Sequence, residues 1–409
     1  MKHIVIVGGG FAGIHAAKTL HENFPKGTAH ITLISKVHHF EYTPALYRVV
    51  TGESPFEVCI PLSEVFKEKD VDVVVDTVTS VDQSAQKVVG ESGSHYEYDY
   101  LILALGSETV FFNTAGMSEH SFGFKSINEA LRLKRHLHDE FEKAKTCNEE
   151  EKLEHMRIVI IGGGASGTEL AGELAVYTHH FGKLHGVEVG KIDIVLLEGG
   201  PRLLAALPEA QSTRALAHLK NLGVRVFLSE RVEKVDEEHV YLAGQTFATD
   251  TIIWTAGVKP HALYATLGGT MAKNGRVEVE SDLRMKGSKN IYILGDGAAT
   301  PYAGMAQTAI YDGEYIGTNL PYIMIGDPVQ PYTPPMPAYC VPAGPGWAVF
   351  SGFGLSFSGY FGYIMRKLID LCYFMSILPF FKAIQVWHEG ESMCETCATC
   401  SRICKNPTS

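Results

Sequence analysis

The sequence predicts an α/β fold with parallel sheets, because a strand, a glycine turn and a helix follow one another at two places in the chain. The first copy is the apolar run Lys2–Val7 followed by Gly8-Gly-Gly10-Phe-Ala-Gly13. The second copy is Arg157-Ile-Val-Ile-Ile followed by Gly162-Gly-Gly164-Ala-Ser-Gly167. Each β-branched run is too short for a helix, and small or apolar helix formers follow each last glycine.

The spacing G-x-G-x-x-G in this context indicates a Rossmann-like phosphate-binding turn. Its first glycine permits the tight turn, the second lets the backbone approach a pyrophosphate, and the third lets helix pack on strand. The phosphate then lies at a helix N-terminus, where free N–H groups favour an anion. Against the alternative of a purely structural repeat, two complete copies predict two dinucleotides, and so electron transfer between a flavin and a nicotinamide.

The next strand of each unit carries information about the ribose. An acid at its end usually bonds the ribose hydroxyls. The second unit has Glu198 there, which favours NADH over NADPH, although Arg202 leaves room for NADPH and Glu198 could be an ordinary strand-end acid. The first unit has Ser35 followed by Lys36, and serine bonds a ribose hydroxyl more weakly.

Composition excludes several other classes of protein. The 409 residues carry a net charge of −11 without a basic cluster, which argues against a nucleic-acid surface. No strongly apolar run reaches the length of about 18 residues that a spanning helix needs. Four of the eight cysteines lie between positions 394 and 404, and the scattered remainder fits a reducing compartment.

With these motifs, roughly residues 1–385 resemble the type II NADH dehydrogenase family of two-dinucleotide-domain flavoproteins. Further matching stretches are Tyr42-Thr-Pro44-Ala-Leu46-Tyr47, Leu103-Ala-Leu-Gly106, Trp254-Thr-Ala-Gly257 and Leu294-Gly-Asp296. Leu105 departs from the family, which has threonine there.

The resemblance implies FAD on the first unit and NADH on the second, and two sets of binding residues follow from it. The FAD set is Gly8, Gly10, Phe11, Ala12, Gly13, Ser35, Lys36, Thr43, Pro44, Val78, Ala104, Leu105, Gly106, Asp296, Ala306 and Gln307. The NADH set is Gly162, Gly164, Ser166, Gly167, Glu169, Glu198, Ala256 and Gly257.

The resemblance also implies catalytic roles for Glu169 and Gln307. Glu169 matches a glutamate near the flavin–nicotinamide junction, and Glu173 shares its helical face; both could instead be surface acids favoured by the helix dipole. Gln307 matches the quinone-facing edge of the flavin, with a helix-start cap as its alternative. Tyr311 stands where the family has a second glutamine, which leaves the quinone open. Asp296, expected to bond the ribityl chain, could instead cap the next helix.

The predicted domains follow from these assignments, with the second unit inserted in the first. They are an FAD-binding domain (1–115 and 285–325), a helical linker (116–156), an NADH-binding domain (157–284), a C-terminal membrane-associating region (326–390) and a Cys-rich tail (391–409).

The C-terminal region predicts an amphipathic helix that ends before Pro379. Its apolar positions are Tyr363, Ile364, Leu368, Ile369, Leu371, Cys372 and Met375, with Arg366, Lys367 and Asp370 opposite. Such a helix suits a membrane interface, or packs its stripe on its own protein or a second subunit. The resemblance favours peripheral binding at the cytoplasmic face of the cell membrane, and a homodimer is one assembly that the sequence allows.

The tail reads Cys394-Glu-Thr-Cys397-Ala-Thr-Cys400-Ser-Arg-Ile-Cys404 and lies outside the family pattern. Its spacing resembles the bacterial ferredoxin run, with Lys405 replacing the usual proline. An iron–sulfur cluster, a zinc site and a thiol relay all remain open.

The leading functional prediction is an FAD-dependent NADH:quinone oxidoreductase that does not pump protons. One alternative is a sulfide:quinone oxidoreductase of the same fold, although the cysteine pair which that reaction needs is poorly matched. Two others are an NADH-dependent reductase that passes electrons to a protein through the cysteine tail, and a redox-sensing interaction protein.

Overall fold

The computed structural model describes residues 1–186, 188, 192–390 and 392–393. The predicted cysteine cluster at positions 394–404 lies outside these residues. The strands are β1 (Lys2–Val7), β2 (Ala29–Ser35), β3 (His39–Glu41), β4 (Cys59–Pro61), β5 (Asp72–Val75), β6 (Val78–Asp82), β7 (Lys87–Gly90), β8 (His95–Glu97), β9 (Tyr100–Leu103), β10 (Ser107–Thr109), β11 (Arg157–Ile161), β12 (Asp193–Glu198), β13 (Arg225–Leu228), β14 (Val232–Val235), β15 (His239–Leu242), β16 (Gln245–Ala248), β17 (Thr251–Trp254), β18 (Val258–Pro260), β19 (Ile291–Ile293), β20 (Tyr339–Pro342), β21 (Ala348–Gly352) and β22 (Leu355–Gly359).

One α-helix follows each of the two glycine turns, and the described residues form further α-helices. They are α1 (Phe11–Asn23), α2 (Leu46–Val50), α3 (Leu62–Val65), α4 (Met117–His120), α5 (Ile127–Lys143), α6 (Glu149–Met156), α7 (Ala165–His185), α8 (Glu209–Asn221), α9 (Ala306–Ile325), α10 (Tyr360–Ile377) and α11 (Phe380–Gly390). Local chemistry sets several ends. Ser126 and Glu129 form a capping box at the start of α5. Gly186 and Gly326, both left-handed, follow α7 and α9.

Backbone packing divides the chain into two units. Unit 1 comprises Met1–Glu41, Ile60–Glu108 and Val258–Pro337, and unit 2 comprises Tyr42–Cys59, Thr109–Gly257 and the chain from Ala338 onward. The domain bounds derived from nucleotide binding stay a prediction, because these units reflect packing and not bound ligands.

Unit 1 contains a five-stranded parallel sheet in the order β19-β9-β1-β2-β5. Parallel neighbours require crossover connections, and α1 makes the one between β1 and β2. An antiparallel sheet, β6-β7-β8, joins the same unit. The core includes Val5, Leu101 and Ile293 from three parallel strands, together with Tyr264, which is 1% exposed.

Unit 2 contains a four-stranded parallel sheet in the order β13-β12-β11-β17. Val159, Val195 and Trp254 contribute to its core. Antiparallel sheets β14-β15-β16 and β20-β21-β22 belong to the same unit. With the sheet of unit 1, this arrangement confirms the prediction of an α/β fold with two Rossmann-like parallel sheets.

Helix α10 ends before Pro379, as predicted, but its two faces carry an unusual distribution of exposure. Phe361 is 77% exposed and Leu368 is 48% exposed, whereas Arg366 is 5% exposed and Asp370 is fully buried. Apolar residues of α10 such as Leu368 are therefore exposed within unit 2, whereas Arg366 and Asp370 face inward and Lys367 is partly exposed. Among the described residues, none of the helices has both the length and the apolar character required to cross a membrane.

Candidate functional site

The first glycine turn has the geometry of a phosphate cradle. Gly8 has a φ of +116°, and a Cβ there would lie 2.2 Å from the carbonyl oxygen of Ala104. A Cβ on Gly13 would lie 1.9 Å from the carbonyl oxygen of Gly8, so α1 packs tightly on the turn. At Gly10, by contrast, apart from its chain neighbours and its own helix, no atom of the described residues lies within 4 Å of a Cβ position. The turn is thus closed on the protein side and open where a pyrophosphate would lie.

The second turn repeats this geometry in unit 2. Gly162 has a φ of +115°, and a Cβ on Gly167 would again lie 1.9 Å from the preceding carbonyl oxygen, that of Gly162. Gly164, like Gly10, has open space at its Cβ position. Both turns therefore satisfy the steric requirements of a dinucleotide, each within its own unit.

The two units differ at the residue that ends the second strand. Glu198 accepts the amide hydrogens of Gly163 and Gly200, each at 2.6 Å, one on each carboxylate oxygen. Ser35 is 3% exposed, and its Oγ would lie 2.5 Å from a Cβ on Gly9. Glu198 thus accepts hydrogen bonds from its glycine turn through its carboxylate, whereas Ser35 packs closely against Gly9 of the first turn.

Asp296 lies in a tightly held turn after β19 in unit 1. The Ser107 hydroxyl donates to its Oδ2, and the Arg276 Nε–H donates to its backbone oxygen at 3.1 Å. Gly295, with a φ of +64°, donates its amide hydrogen to Oδ2 of Asp312 at 2.7 Å. Ser107 thus holds the carboxylate of Asp296, while Arg276 and Asp312 hold the backbone of the turn around it.

Asp312 is the buried support of this turn. Its Oδ1 accepts the hydroxyl of Tyr332, from the proline-rich segment after α9. Burial raises the pKa of Asp312 to about 7, although hydrogen bonds from Tyr332 and Gly295 oppose that rise. Gly295 precedes Asp312 by 17 positions, and the fold brings the two residues together.

Gln307 lies in the first turn of α9, and its side chain is hydrogen-bonded to the hydroxyl of Tyr311 one helical turn later. Both residues are partly exposed. Leu105, the other departure from the family pattern, donates its amide hydrogen to the hydroxyl of Tyr264 at 2.9 Å. The turn at Leu105 thus has a backbone support that does not require a hydroxyl on residue 105.

Glu169 lies in a buried ionic cluster within unit 2. Its Oε1 is 3.3 Å from Nη1 of Arg366, and the side chain is about 10% exposed. The Nε of Arg366 lies 2.9 Å from Oδ1 of Asp370, and its other N–H groups donate to the carbonyl oxygens of Cys340 and Pro44 at 3.1 and 2.5 Å. One guanidinium therefore joins α7, α10, β20 and the stretch at Pro44.

The cluster continues through Asp370 to a second arginine. Nη2 of Arg48 lies 2.8 Å from Oδ2 of Asp370, and Nη1 of Arg48 binds Glu57. The hydroxyl of Tyr42 donates to Oδ1 of Asp370 at 2.6 Å. Asp370 thus accepts from Tyr42, Arg48 and Arg366, which satisfies a carboxylate that is fully buried.

The acids of this cluster titrate at different pH values. Burial raises the pKa of Glu169 to about 7, although Arg366 and Arg48 oppose the rise. Burial raises the pKa of Glu173, one turn further along α7, to about 8. Burial also acts to raise the pKa of Asp370, but Arg366 and Arg48 hold it below its ordinary value. The alternative that Glu169 and Glu173 are surface acids is wrong, since both are buried.

Sequence reasoning missed Arg48, Arg366 and Asp370 as site residues. Arg366 and Asp370 are four residues apart on α10, the spacing of a helical ion pair, and this signal was available. Their charges instead suggested the solvent face of an amphipathic helix. Nothing in the local sequence indicated that Arg48 would be buried.

The structure places the predicted binding residues in both units. Unit 1 holds most of the FAD set, unit 2 holds the NADH set, and Thr43 and Pro44 lie in unit 2. The prediction that Thr43 and Pro44 contact the flavin, like the roles of Phe11, Lys36 and Val78, stays a prediction.

Residues 2–313 match the pyridine nucleotide-disulphide oxidoreductase family. The type II NADH:quinone oxidoreductase Ndh of Mycobacterium tuberculosis is 31% identical over 335 residues, covering 78% of this chain and 72% of the relative.

Two solved structures have a similar fold. NDH2 from Plasmodium falciparum, in complex with NADH, has a TM-score of 0.84 at 18% identity and covers 96% of this chain and 99% of its own. The sulfide:quinone oxidoreductase from Aquifex aeolicus has a TM-score of 0.76 at 20% identity and covers 95% of this chain and 92% of its own. Structural likeness alone therefore does not separate the two reactions.

Proposed function

Because the chain belongs to the type II NADH:quinone oxidoreductases of the pyridine nucleotide-disulphide oxidoreductase family, we propose that it is an FAD-dependent enzyme that oxidises NADH and reduces a membrane quinone without pumping protons. A bound FAD would supply an acceptor for the hydride of NADH and a donor of two electrons to the quinone. The chain's own residues bind and orient the two nucleotides and exchange protons.

One observation carries the proposal. The two glycine turns have matching geometry, but the strand beside each turn ends in a different residue, Ser35 in unit 1 and Glu198 in unit 2. In unit 2 the carboxylate of Glu198 holds two backbone amides and keeps lone pairs for ribose hydroxyls. Its negative charge disfavours a 2′-phosphate, which supports NADH as the donor. In unit 1 the open space at Gly10 and the oriented carboxylate of Asp296 fit the pyrophosphate and ribityl chain of FAD.

Glu169 is proposed as the proton-exchanging residue. A general acid or base works best when its pKa lies near the working pH, and burial raises the pKa of Glu169 to about 7. Gln307 is proposed to bind at the acceptor side, where its amide can donate to a quinone oxygen. Its bond to Tyr311 would fix the orientation of that amide.

Peripheral membrane binding is supported by an exposed apolar surface on α10, α11 and the preceding hairpin, called here the apolar surface. Its members and exposures are Phe353 82%, Leu355 62%, Tyr360 66%, Phe361 77%, Ile364 38%, Leu368 48%, Phe380 58% and Phe381 85%. Aromatic and aliphatic side chains in this number suit the headgroup–acyl boundary of a bilayer. The side of the membrane follows only from the resemblance.

The sulfide:quinone alternative has less support. Burial raises the pKa of the Cys340 thiol to about 12, so a nucleophilic thiolate is scarce there at neutral pH. Its Sγ–H donates to the carbonyl oxygen of Gly362 at 3.5 Å. A thiol in this state is poorly suited to carry polysulfide.

An absorbance titration tests the proposal. Anaerobically purified full-length protein should show a flavin band that NADH bleaches stoichiometrically and a quinone analogue restores. Sulfide should leave the band unchanged. Bleaching by sulfide and not by NADH would overturn the proposal in favour of the alternative.

The cysteine tail needs a separate experiment. Replacing Cys394, Cys397, Cys400 and Cys404 by serine in the full-length chain removes every thiol of the tail and leaves α11 intact. Unchanged NADH:quinone turnover in this variant would make the tail accessory. Loss of turnover would favour electron transfer through the cysteines.

A further inference from the structure

The buried cluster around Glu169 contains more acids than arginines. Its arginines are Arg48 and Arg366, and its acidic residues are Glu57, Asp370 and Glu169, all less than a tenth exposed. Glu57 pairs with Arg48, and Asp370 bridges both arginines. Glu169 therefore lacks an arginine of its own and shares Arg366 with Asp370.

The distances show how unequally Arg366 is shared. Its Nε lies 2.9 Å from Asp370, whereas its Nη1 lies 3.3 Å from Glu169 and also donates to the carbonyl oxygen of Cys340 at 3.1 Å. The shorter pair joins two residues on adjacent turns of α10, so the helix itself holds them together. The longer pair joins residues that are 197 positions apart.

We propose that Asp370 is a positioning residue that competes with Glu169 for the charge of Arg366 and thereby keeps the Glu169 carboxyl able to hold a proton near neutral pH. This inference rests on the proton-exchanging role proposed for Glu169. Its physical basis is that an opposite charge a few ångströms from a buried carboxyl favours the ionised form, and a second carboxylate on the same cation weakens that effect.

The other groups around Glu169 do not replace Asp370 in this role. Arg48 favours the ionised form of Glu169, while Asp370 opposes that form. Tyr47 and Cys340 also interact electrostatically with Glu169, and burial holds both in their neutral forms. Glu173 shares the helix, and burial raises its pKa to about 8, so it is mainly neutral at pH 7. Asp370 is thus the anion that shares an arginine directly with Glu169.

The test is a direct titration of Glu169 in the full-length flavin-containing enzyme. In infrared difference spectra between pH values, one carboxylic C=O band should disappear in Glu169→Gln. That band reports the protonation of Glu169. In Asp370→Asn, Glu169 no longer shares Arg366 with a second carboxylate, so the midpoint of this band should move to lower pH, a loss of proton affinity of about tenfold or more. The alkaline fall of turnover should move in the same direction.

A matched control separates charge from packing. Tyr42→Phe removes a hydrogen bond to the Asp370 oxygen that Arg366 also binds, but leaves the charge of Asp370. The proton affinity of Glu169, read from the midpoint, should therefore stay within about twofold of the parent's. Asp370→Glu, which restores the charge, should return the midpoint toward the parent. If Asp370→Asn does not purify in folded form, Asp370→Ser serves in its place, since it leaves room for a water.

A midpoint in the folded Asp370→Asn or Asp370→Ser protein that equals the parent's, or lies at higher pH, overturns the inference. So does a Tyr42→Phe midpoint that moves as far as that of Asp370→Asn. The proposed role of Glu169 fails separately: Glu169→Gln would then retain full turnover with an unchanged pH profile, whatever the infrared titration shows.

Discussion

Glu198 accepts the amide hydrogen of Gly163 at 2.6 Å, so the residue predicted to bind a ribose also holds the turn predicted to bind the pyrophosphate. A change at this position should affect both parts of the nucleotide. Glu198→Gln keeps the shape, but it removes one acceptor and the charge that repels a 2′-phosphate. We expect kcat/KM for NADH to fall about tenfold and the preference for NADH over NADPH to narrow.

Steady-state kinetics with both nucleotides measures this effect. Glu209→Gln, a change of an exposed acid in the first turn of α8, is the matched control and should behave as the parent. An unchanged preference in Glu198→Gln would remove the residue from the proposed NADH site.

Alanine at two glycines of the first turn should separate binding from folding. Gly10→Ala points its methyl group into open space, so the protein should fold but bind FAD more weakly. Gly13→Ala drives a methyl group to 1.9 Å from the carbonyl oxygen of Gly8 and should destabilise the protein by about 1–3 kcal/mol.

Thermal unfolding and fluorescence titration of apoprotein with FAD measure the two effects. Equal FAD affinity in Gly10→Ala and the parent would contradict the assignment of the open space to the pyrophosphate.

The Gln307–Tyr311 hydrogen bond should influence the acceptor half of the reaction. Gln307→Ala removes the proposed donor to a quinone oxygen, and we expect the KM for a quinone analogue to rise about tenfold. Tyr311→Gln installs the family residue and should change the KM for quinone, because Gln307 loses the hydroxyl that orients it. Flavin reduction by NADH, followed by stopped flow, should be the same in all three proteins. If that half-reaction slows instead, Gln307 acts on the donor side.

The apolar surface should govern binding to lipid vesicles. Phe361→Ser with Phe381→Ser removes two aromatic rings that are 77% and 85% exposed. Loss of this apolar area should weaken partition into vesicles about tenfold or more. Tyr322→Ser alters an exposed aromatic residue of α9 and should not change partition. Equal vesicle binding by all variants would argue against a membrane role for this surface.

Asp312 should make stability depend on pH. The ordinary pKa of this group is 3.8, and burial raises the pKa of Asp312 to about 7 in the folded protein. Between these values the folded chain retains a proton that the unfolded chain has lost, so the free energy of unfolding falls as pH rises, by roughly 4 kcal/mol in total.

Asp312→Asn cannot ionise and should reduce the fall in Tm between about pH 4 and pH 7. Asp327→Asn, a change of an exposed acid just beyond α9, should leave that fall as in the parent. A fall of equal size in Asp312→Asn would mean that other groups are responsible.

The cofactor turns were predictable because their determinants are local. Gly8, Gly13 and their counterparts act within six residues of sequence, and a φ near +115° admits glycine and little else. Glu198 followed from the same local logic, since it ends the strand beside the turn. The amphipathic pattern of α10 and its end before Pro379 were also readable, because both depend on neighbouring residues.

The surroundings of Glu169 were not predictable in this way. Arg366 is 197 positions from Glu169, and Asp370 is 322 positions from Arg48. Which charges are buried together depends on how distant segments pack, and spacing in one helix does not reveal its partner. Local sequence was therefore enough to locate two glycine turns of the dinucleotide-binding type and the acid that distinguishes them. Only the packing of distant segments turns Arg366 and Asp370 of α10 inward to Glu169, because burying a carboxylate requires cations that the chain brings from far along its length.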